Sequence, residues 1–135
     1  MALPRWLPDF IGLPYEPGGR TRDGIDCWGL VTLVWAEVMG HELPPYEGQP
    51  WGLGASAAEV EAAARRFAGS FTPIKPGMER LGDGVLLRIG GAAVHIGLVV
   101  EPGKMLHIAD GANSCIEGYR SSLWGKRVAG FYRYG

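Results

Sequence analysis

An α+β fold, with N-terminal helices packed on an antiparallel sheet, is predicted by two features of the 135-residue sequence. Apolar residues recur at helical spacing in two segments of the first half, and four runs of strand composition, parted by glycine-containing breaks, occupy the second half. Helices that precede strands, instead of alternating with them, favour segregated layers. At this length one core is expected, and with it a single domain over residues 1–135.

The segment up to Asp26 is punctuated by Pro4, Pro8, Pro14, Pro17 and several glycines, so it reads as irregular, with a short helical turn near Trp6 to Ile11. From Asp26 to Met39, Leu30, Val31, Val34, Trp35 and Val38 fall on one helical stripe. Asp26 is placed to cap its start and Gly40 to end it. The proline- and glycine-rich stretch from Glu42 to Gly54 is a loop. Ser56-Ala57-Ala58-Glu59 then has the pattern of a capping box opening a second, alanine-rich helix to Ala68. Val85–Ile89, Val94–Val100, Lys104–Ala109 and Val128–Tyr132 have strand composition, are separated by breaks at Gly90-Gly91, Pro102-Gly103 and Asp110-Gly111, and are expected to pair as an antiparallel meander.

Hydrophobic residues make up 47% and charged residues 20%, which suffices for a core without metal or disulfide staples. A net charge of −1 gives no bulk reason to expect a nucleic-acid surface. No apolar run is long enough for membrane insertion, and the first eight residues lack the pattern of a secretory leader. Cys27 and Cys115 are too few for a disulfide framework and are expected to be free thiols.

Cys27 lies in the first turn of the predicted helix, where unpaired N–H groups and the helix dipole can lower a thiol pKa from about 8.5 to roughly 3.5–7.5. A nucleophile fits there; so does a buried apolar cysteine under Trp28. His95 lies on a strand that can face that turn, and His107 lies on the next strand. The two imidazoles can therefore be cross-strand neighbours, the second orienting the first. Together these residues meet the needs of acyl transfer: a thiolate, a general base and N–H groups to receive an oxyanion. The same residues with Asp26 or Asp110 could hold zinc, although no CxxC or HExxH pattern supports a metal, and no cofactor motif occurs. Tyr15, just upstream, can place its hydroxyl near the thiol or a substrate carbonyl, or simply seal the core edge. Asp26 reads as a helix cap first and as an anchor for a substrate ammonium second. His41 ends the first helix and stays outside the site. Cys115 follows Asn113-Ser114 in an expected loop and reads as incidental.

Gly12-Leu13-Pro14-Tyr15, Gly18-Gly19, Gly24-Ile25-Asp26-Cys27-Trp28-Gly29-Leu30-Val31, Leu81-Gly82-Asp83, His95-Ile96-Gly97-Leu98 and Leu106-His107-Ile108-Ala109 together resemble the NlpC-type cysteine endopeptidases of bacterial cell walls, a branch of the papain-like superfamily. The resemblance implies Cys27 as nucleophile, His95 as general base and later acid, and His107 as the polar third residue. It implies Tyr15 beside the thiol, stabilising the oxyanion or positioning substrate, and Asp26 as the acidic residue before the nucleophile. The implied substrate is a peptidoglycan stem peptide, cut between γ-D-glutamyl and the diamino acid through a thioester. Trp28, where a serine often follows the cysteine, and Glu16-Pro17 before a glycine pair depart from the commoner pattern near the expected cleft.

The Asp-Cys-Trp-Gly-Leu-Val form, with Leu43-Pro44-Pro45-Tyr46 after the helix, is similar to phage-tail and gene-transfer-agent members of that family. That likeness implies synthesis in the bacterial cytoplasm, incorporation in a tail tip acting on the cell wall or periplasm, and tail or baseplate partners docked at the Trp51 loop or the Trp124–Tyr134 region. Two other readings fit the same residues: a catalytically silent tail component, and an acyltransferase.

Overall fold

Asp26 is extended (φ −102°, ψ −177°) and its carboxylate accepts the Gly29 N–H at 2.7 Å, so the chain turns directly into helix α1, Cys27–Met39. Gly40 ends the helix in the left-handed region (φ 70°), and the His41 N–H returns to the Trp35 carbonyl at 2.8 Å. Both expected boundaries are thus met by short-range hydrogen bonds. The computed structural model describes residues 3–41, 71–89 and 92–134; the expected second helix and the loop before it lie outside the described residues.

Before α1, a helical turn at Leu7–Phe10 buries both of its terminal residues, as expected for that segment. Two short strands, β1 (Arg20–Thr21) and β2 (Gly24–Ile25), then form a hairpin with Arg20 opposite Ile25. The first turn of α1 lies so close to this hairpin that a Cβ on Gly29 would stand 2.3 Å from the Gly19 carbonyl oxygen. Only glycine lets α1 settle there.

The sheet comprises β3 (Phe71–Ile74), β4 (Gly84–Ile89), β5 (Ala92–Glu101), β6 (Lys104–His107), β7 (Cys115–Gly118) and β8 (Val128–Tyr134). Its order is β3-β8-β4-β5-β6-β7 and every pairing is antiparallel. The α+β architecture is the expected one, but the strand set is larger. Strand β3 contains Pro73, which cannot donate to a ladder and is tolerated because β3 is an edge strand. Cys115, expected in a loop, opens edge strand β7, which pairs with β6. Strand β8 does not extend the meander but returns between β3 and β4.

Alternation along the strands produces two faces. Ile96, Leu98, Val100, Leu106 and Ile108 pack against Leu30, Val31, Val34 and Trp35 of α1. Val85, Leu87, Val99, Met105, Tyr119, Trp124 and Phe131 form a second cluster. Burying each of the α1 side chains is worth about 1.5–3 kcal/mol, and the Trp35 indole N–H adds a 2.8 Å hydrogen bond to the Gly82 carbonyl ahead of β4. These contacts seat the start of α1 against the middle of the sheet.

Candidate active site

Cys27 is buried at the head of α1, and the backbone N–H groups of Ile96 and Trp28 are directed at its sulfur. The Ile96 contact brings the thiol onto β5 one residue along from His95. The β5–β6 ladder starts at Leu98 opposite Leu106, so the sulfur meets β5 just ahead of the point where the two strands join.

The His95 ring is stacked on Trp124 with centroids 5.6 Å apart and planes 20° apart. Its Nε2 is 2.9 Å from Nδ1 of His107, so the expected cross-strand pair is present. His107 in turn has Nε2 2.8 Å from Oε1 of Glu117 on β7, and its ring meets Trp124 edge-on at 5.5 Å. Both imidazoles are almost fully buried.

This chain has a direction. A carboxylate only accepts, so His107 Nε2 carries the proton and donates to Glu117. Neutral His107 then accepts at Nδ1, and His95 donates from Nε2. The lone pair of His95 is thereby held on Nδ1, the tautomer a base requires. Glu117 was absent from the sequence-based set because β7 was not among the expected strands. Trp124, at the start of the expected docking region, is 7% exposed and clamps both rings, so it is core and cannot serve as an exposed dock.

Burial governs the charge state. Removal from water, with the Asp26 carboxylate as second cause, pushes the Cys27 thiol up to about 12 against the opposing Ile96 and Trp28 N–H groups and Arg20. The expectation of a helix-lowered thiol is corrected here: loss of hydration outweighs the favourable first-turn dipoles. Burial, and then His107, pushes His95 down to about 3. Burial also lowers His107, partly offset by Glu117. The resting pair is a neutral thiol and a neutral imidazole.

Tyr15 lies half-buried beside Ile25, bridged to it, with the Glu16 N–H bonded to the Ile25 carbonyl at 3.0 Å. Its phenol is raised by burial first and then by the charges of Cys27, Asp110 and Asp26. The segment is tied down by Ser114, whose hydroxyl accepts the Leu13 N–H at 2.8 Å and donates to the Phe10 carbonyl at 2.6 Å.

Asp26 is 1% exposed. Its carboxylate accepts from Gly29 at 2.7 Å, from Gly18 at 3.1 Å and from Arg20 Nη1 at 2.7 Å. The reading as an ammonium anchor gives way to that of a cap holding the hairpin to α1. Trp28 likewise does not narrow the cleft: it is 3% exposed and packs edge-on to Trp35 at 5.9 Å. Glu16 remains exposed, over Gly24. His41 stacks on Tyr134 at 4.4 Å, away from the site as expected.

A helix opening on a cysteine and packed on an antiparallel sheet that carries an imidazole pair is the layout of the papain-like class. Residues 12–133 match the NlpC/P60 family, and the chain belongs to it. Over 121 residues it is 30% identical to the murein DD-endopeptidase MepS/murein LD-carboxypeptidase of Escherichia coli (strain K12), covering 88% of this chain and 54% of that protein. The chain thus spans about half the length of that relative. A stretch of 50 residues, 36% of this chain and 12% of the relative, is 42% identical to the gamma-DL-glutamyl hydrolase of Bacillus subtilis (strain 168). Two solved structures show the same fold at 19% identity. The NlpC/p60 domain of peptidoglycan hydrolase SagA gives a TM-score of 0.60 over 95% of this chain and 92% of that one. An NlpC/P60 family protein from Bacillus cereus ATCC 10987 gives 0.68 over 93% and 36%.

Proposed function

We propose that this protein is a cysteine hydrolase that opens an amide bond in peptidoglycan stem peptides, with Cys27 as nucleophile and His95 as base. The observation that carries the reading is the oriented chain from Glu117 through His107 to His95, ending on the strand residue next to Ile96, whose backbone N–H favours the Cys27 thiolate. Membership of the NlpC/P60 family and the similarity to a murein endopeptidase support the substrate class. The local similarity to a gamma-DL-glutamyl hydrolase supports a γ-glutamyl link as the bond, whereas the name of the murein relative points to D,D and L,D links.

As substrate enters, the Cys27 thiol proton passes to His95 Nδ1 while the Sγ–C bond forms at the amide carbonyl. First-turn N–H groups of α1 and the Tyr15 hydroxyl receive the oxyanion. His95 then gives its proton to the leaving amine as the C–N bond breaks. Water attacks the thioester, losing a proton to His95, and the thiol is restored when the S–C bond breaks. Because the resting pair is a neutral thiol and a neutral imidazole, the proton moves in concert with S–C bond formation and not ahead of it.

Mass analysis of muropeptides treated with wild type and Cys27→Ala tests the reading. Wild type should yield fragments carrying one added water, and the variant should be slower by about three orders of magnitude or more while unfolding at the same urea concentration. Full activity in Cys27→Ala would overturn it. A new amide or ester mass, in place of hydrolysis, would identify acyl transfer instead. The tail-tip setting, with tail or baseplate partners, rests on the Asp26–Val31 form and on the Leu43–Tyr46 stretch, which lies outside the described residues.

A further inference from the structure

Cys115, which the reaction does not use, stands directly opposite His107 in the β6–β7 ladder. Glu117 is two residues along the same strand and so shares the face. A ring nitrogen of His107, the Cys115 sulfur and a Glu117 carboxylate oxygen all lie within 4.8 Å of one another. These are three ligands of the types zinc prefers, carried on two hydrogen-bonded strands, and two of them have freedom to adjust: Cys115 is exposed and the Glu117 side chain is 38% exposed. Zinc draws such ligands to about 2.0–2.3 Å and completes a tetrahedron with water. Small side-chain rotations of Cys115 and Glu117 would close the set around His107 Nε2, the nitrogen that now faces Glu117 at 2.8 Å.

We propose that His107, Cys115 and Glu117 form an inhibitory site for a zinc-type divalent cation, which switches off the base by reversing the His107–His95 hydrogen bond. The inhibitory half rests on the functional reading above; the binding half stands on the ligand geometry alone. A metal on His107 Nε2 takes the place of the proton there, and the neutral ring then carries its proton on Nδ1. Nδ1–H donates to His95 Nε2, and the His95 proton moves to Nδ1, the nitrogen that must accept from the thiol. The imidazole pair keeps two N–H protons throughout, and the one proton released to solvent comes from Cys115. Metal removal restores the original direction.

The site is read with cobalt(II) as a spectroscopic probe and zinc chloride as the inhibitor, on the full chain. Cobalt titration of wild type and Cys27→Ala should give one equivalent with a thiolate-to-cobalt charge-transfer band, and Cys115→Ala should lack the band. In muropeptide cleavage, zinc should slow wild type about tenfold or more, in keeping with the weight that outer partners of an imidazole carry, and EDTA should reverse it. Cys115→Ala should cleave at the wild-type rate without metal and stay unaffected by zinc at that concentration. Equal zinc inhibition in Cys115→Ala, or a charge-transfer band lost in Cys27→Ala and kept in Cys115→Ala, would overturn the proposal. A wild type that cleaves nothing in EDTA would overturn the functional reading and with it the inhibitory half, while the cobalt band would still decide the binding half.

Discussion

Acidification should destabilise this fold through the buried His95. Its imidazole is held at about 3 against an ordinary 6.5, because a charged ring would have to sit buried beneath Trp124 and against His107. Between those two values the unfolded chain binds a proton that the native chain refuses, so native stability falls as pH falls. The contribution is fully present above about 6.5, declines at roughly 1.4 kcal/mol per pH unit, and is exhausted near 3, a total of about 5 kcal/mol for one group. From about pH 7 to about pH 5 the loss from His95 is then on the order of 2 kcal/mol, a sizeable part of the margin of an ordinary domain. The assay is urea unfolding of wild type and His95→Asn at several pH values, in EDTA. Carboxylates that are lowered in the native state, such as Glu79 and Glu37, act alike in both proteins and cancel in the difference. The variant's stability should fall less steeply with acid, by close to one proton's slope. Parallel curves across this window would refute the reasoning, since they would mean that His95 is either already charged or freely hydrated in the native state.

Removal of Glu117 tests the tautomer argument. Glu117→Ala, in EDTA, should lower kcat/KM by about tenfold to a hundredfold with KM unchanged, whereas Glu117→Gln, which still offers a carbonyl to His107, should recover most of it. Equal losses in the two variants would show that the acceptor at this position does not orient His107. Ser114→Ala strips the Leu13 N–H and the Phe10 carbonyl of partners 2.8 and 2.6 Å away, at a residue 2% exposed. It should cost about 2 kcal/mol or more in urea unfolding, and a change below about 0.5 kcal/mol would mean that water replaces the hydroxyl there.

Helix α1 was legible from the residues because its causes are local. A cap, a stripe of apolar residues and a terminal glycine act within a few positions of one another, and they put Cys27 in the first turn whatever the rest of the chain does. The core strands around His95 and His107 were legible for the same reason, through composition and glycine breaks, and their proximity followed from one short turn between β5 and β6. Strand β7 was not. Its four residues carry no alternating pattern, and they become strand only because β6 supplies a ladder to pair with. With β7 hidden, so were Glu117 as the group that sets the imidazole tautomers and Cys115 as the neighbour of His107.

The charge state of the site was decided by tertiary structure in the same sense. Residue identity places a thiol among helix N–H groups, which favours the thiolate. How much water remains around it depends on the sheet packed over the helix start, and here exclusion of water wins and leaves both partners neutral. The fates of Trp28 and Asp26 were settled likewise: an indole beside Cys27 turned into the core, and a carboxylate closed off by three donors. The sequence by itself thus determined which residues begin the helix, which strands flank the short turn and which family the motifs belong to, since these depend on neighbours along the chain. Direction of hydrogen bonds, hydration of the thiol and the meeting of His107 with Cys115 and Glu117 depend on groups brought together from different strands, and only the folded sheet decides them.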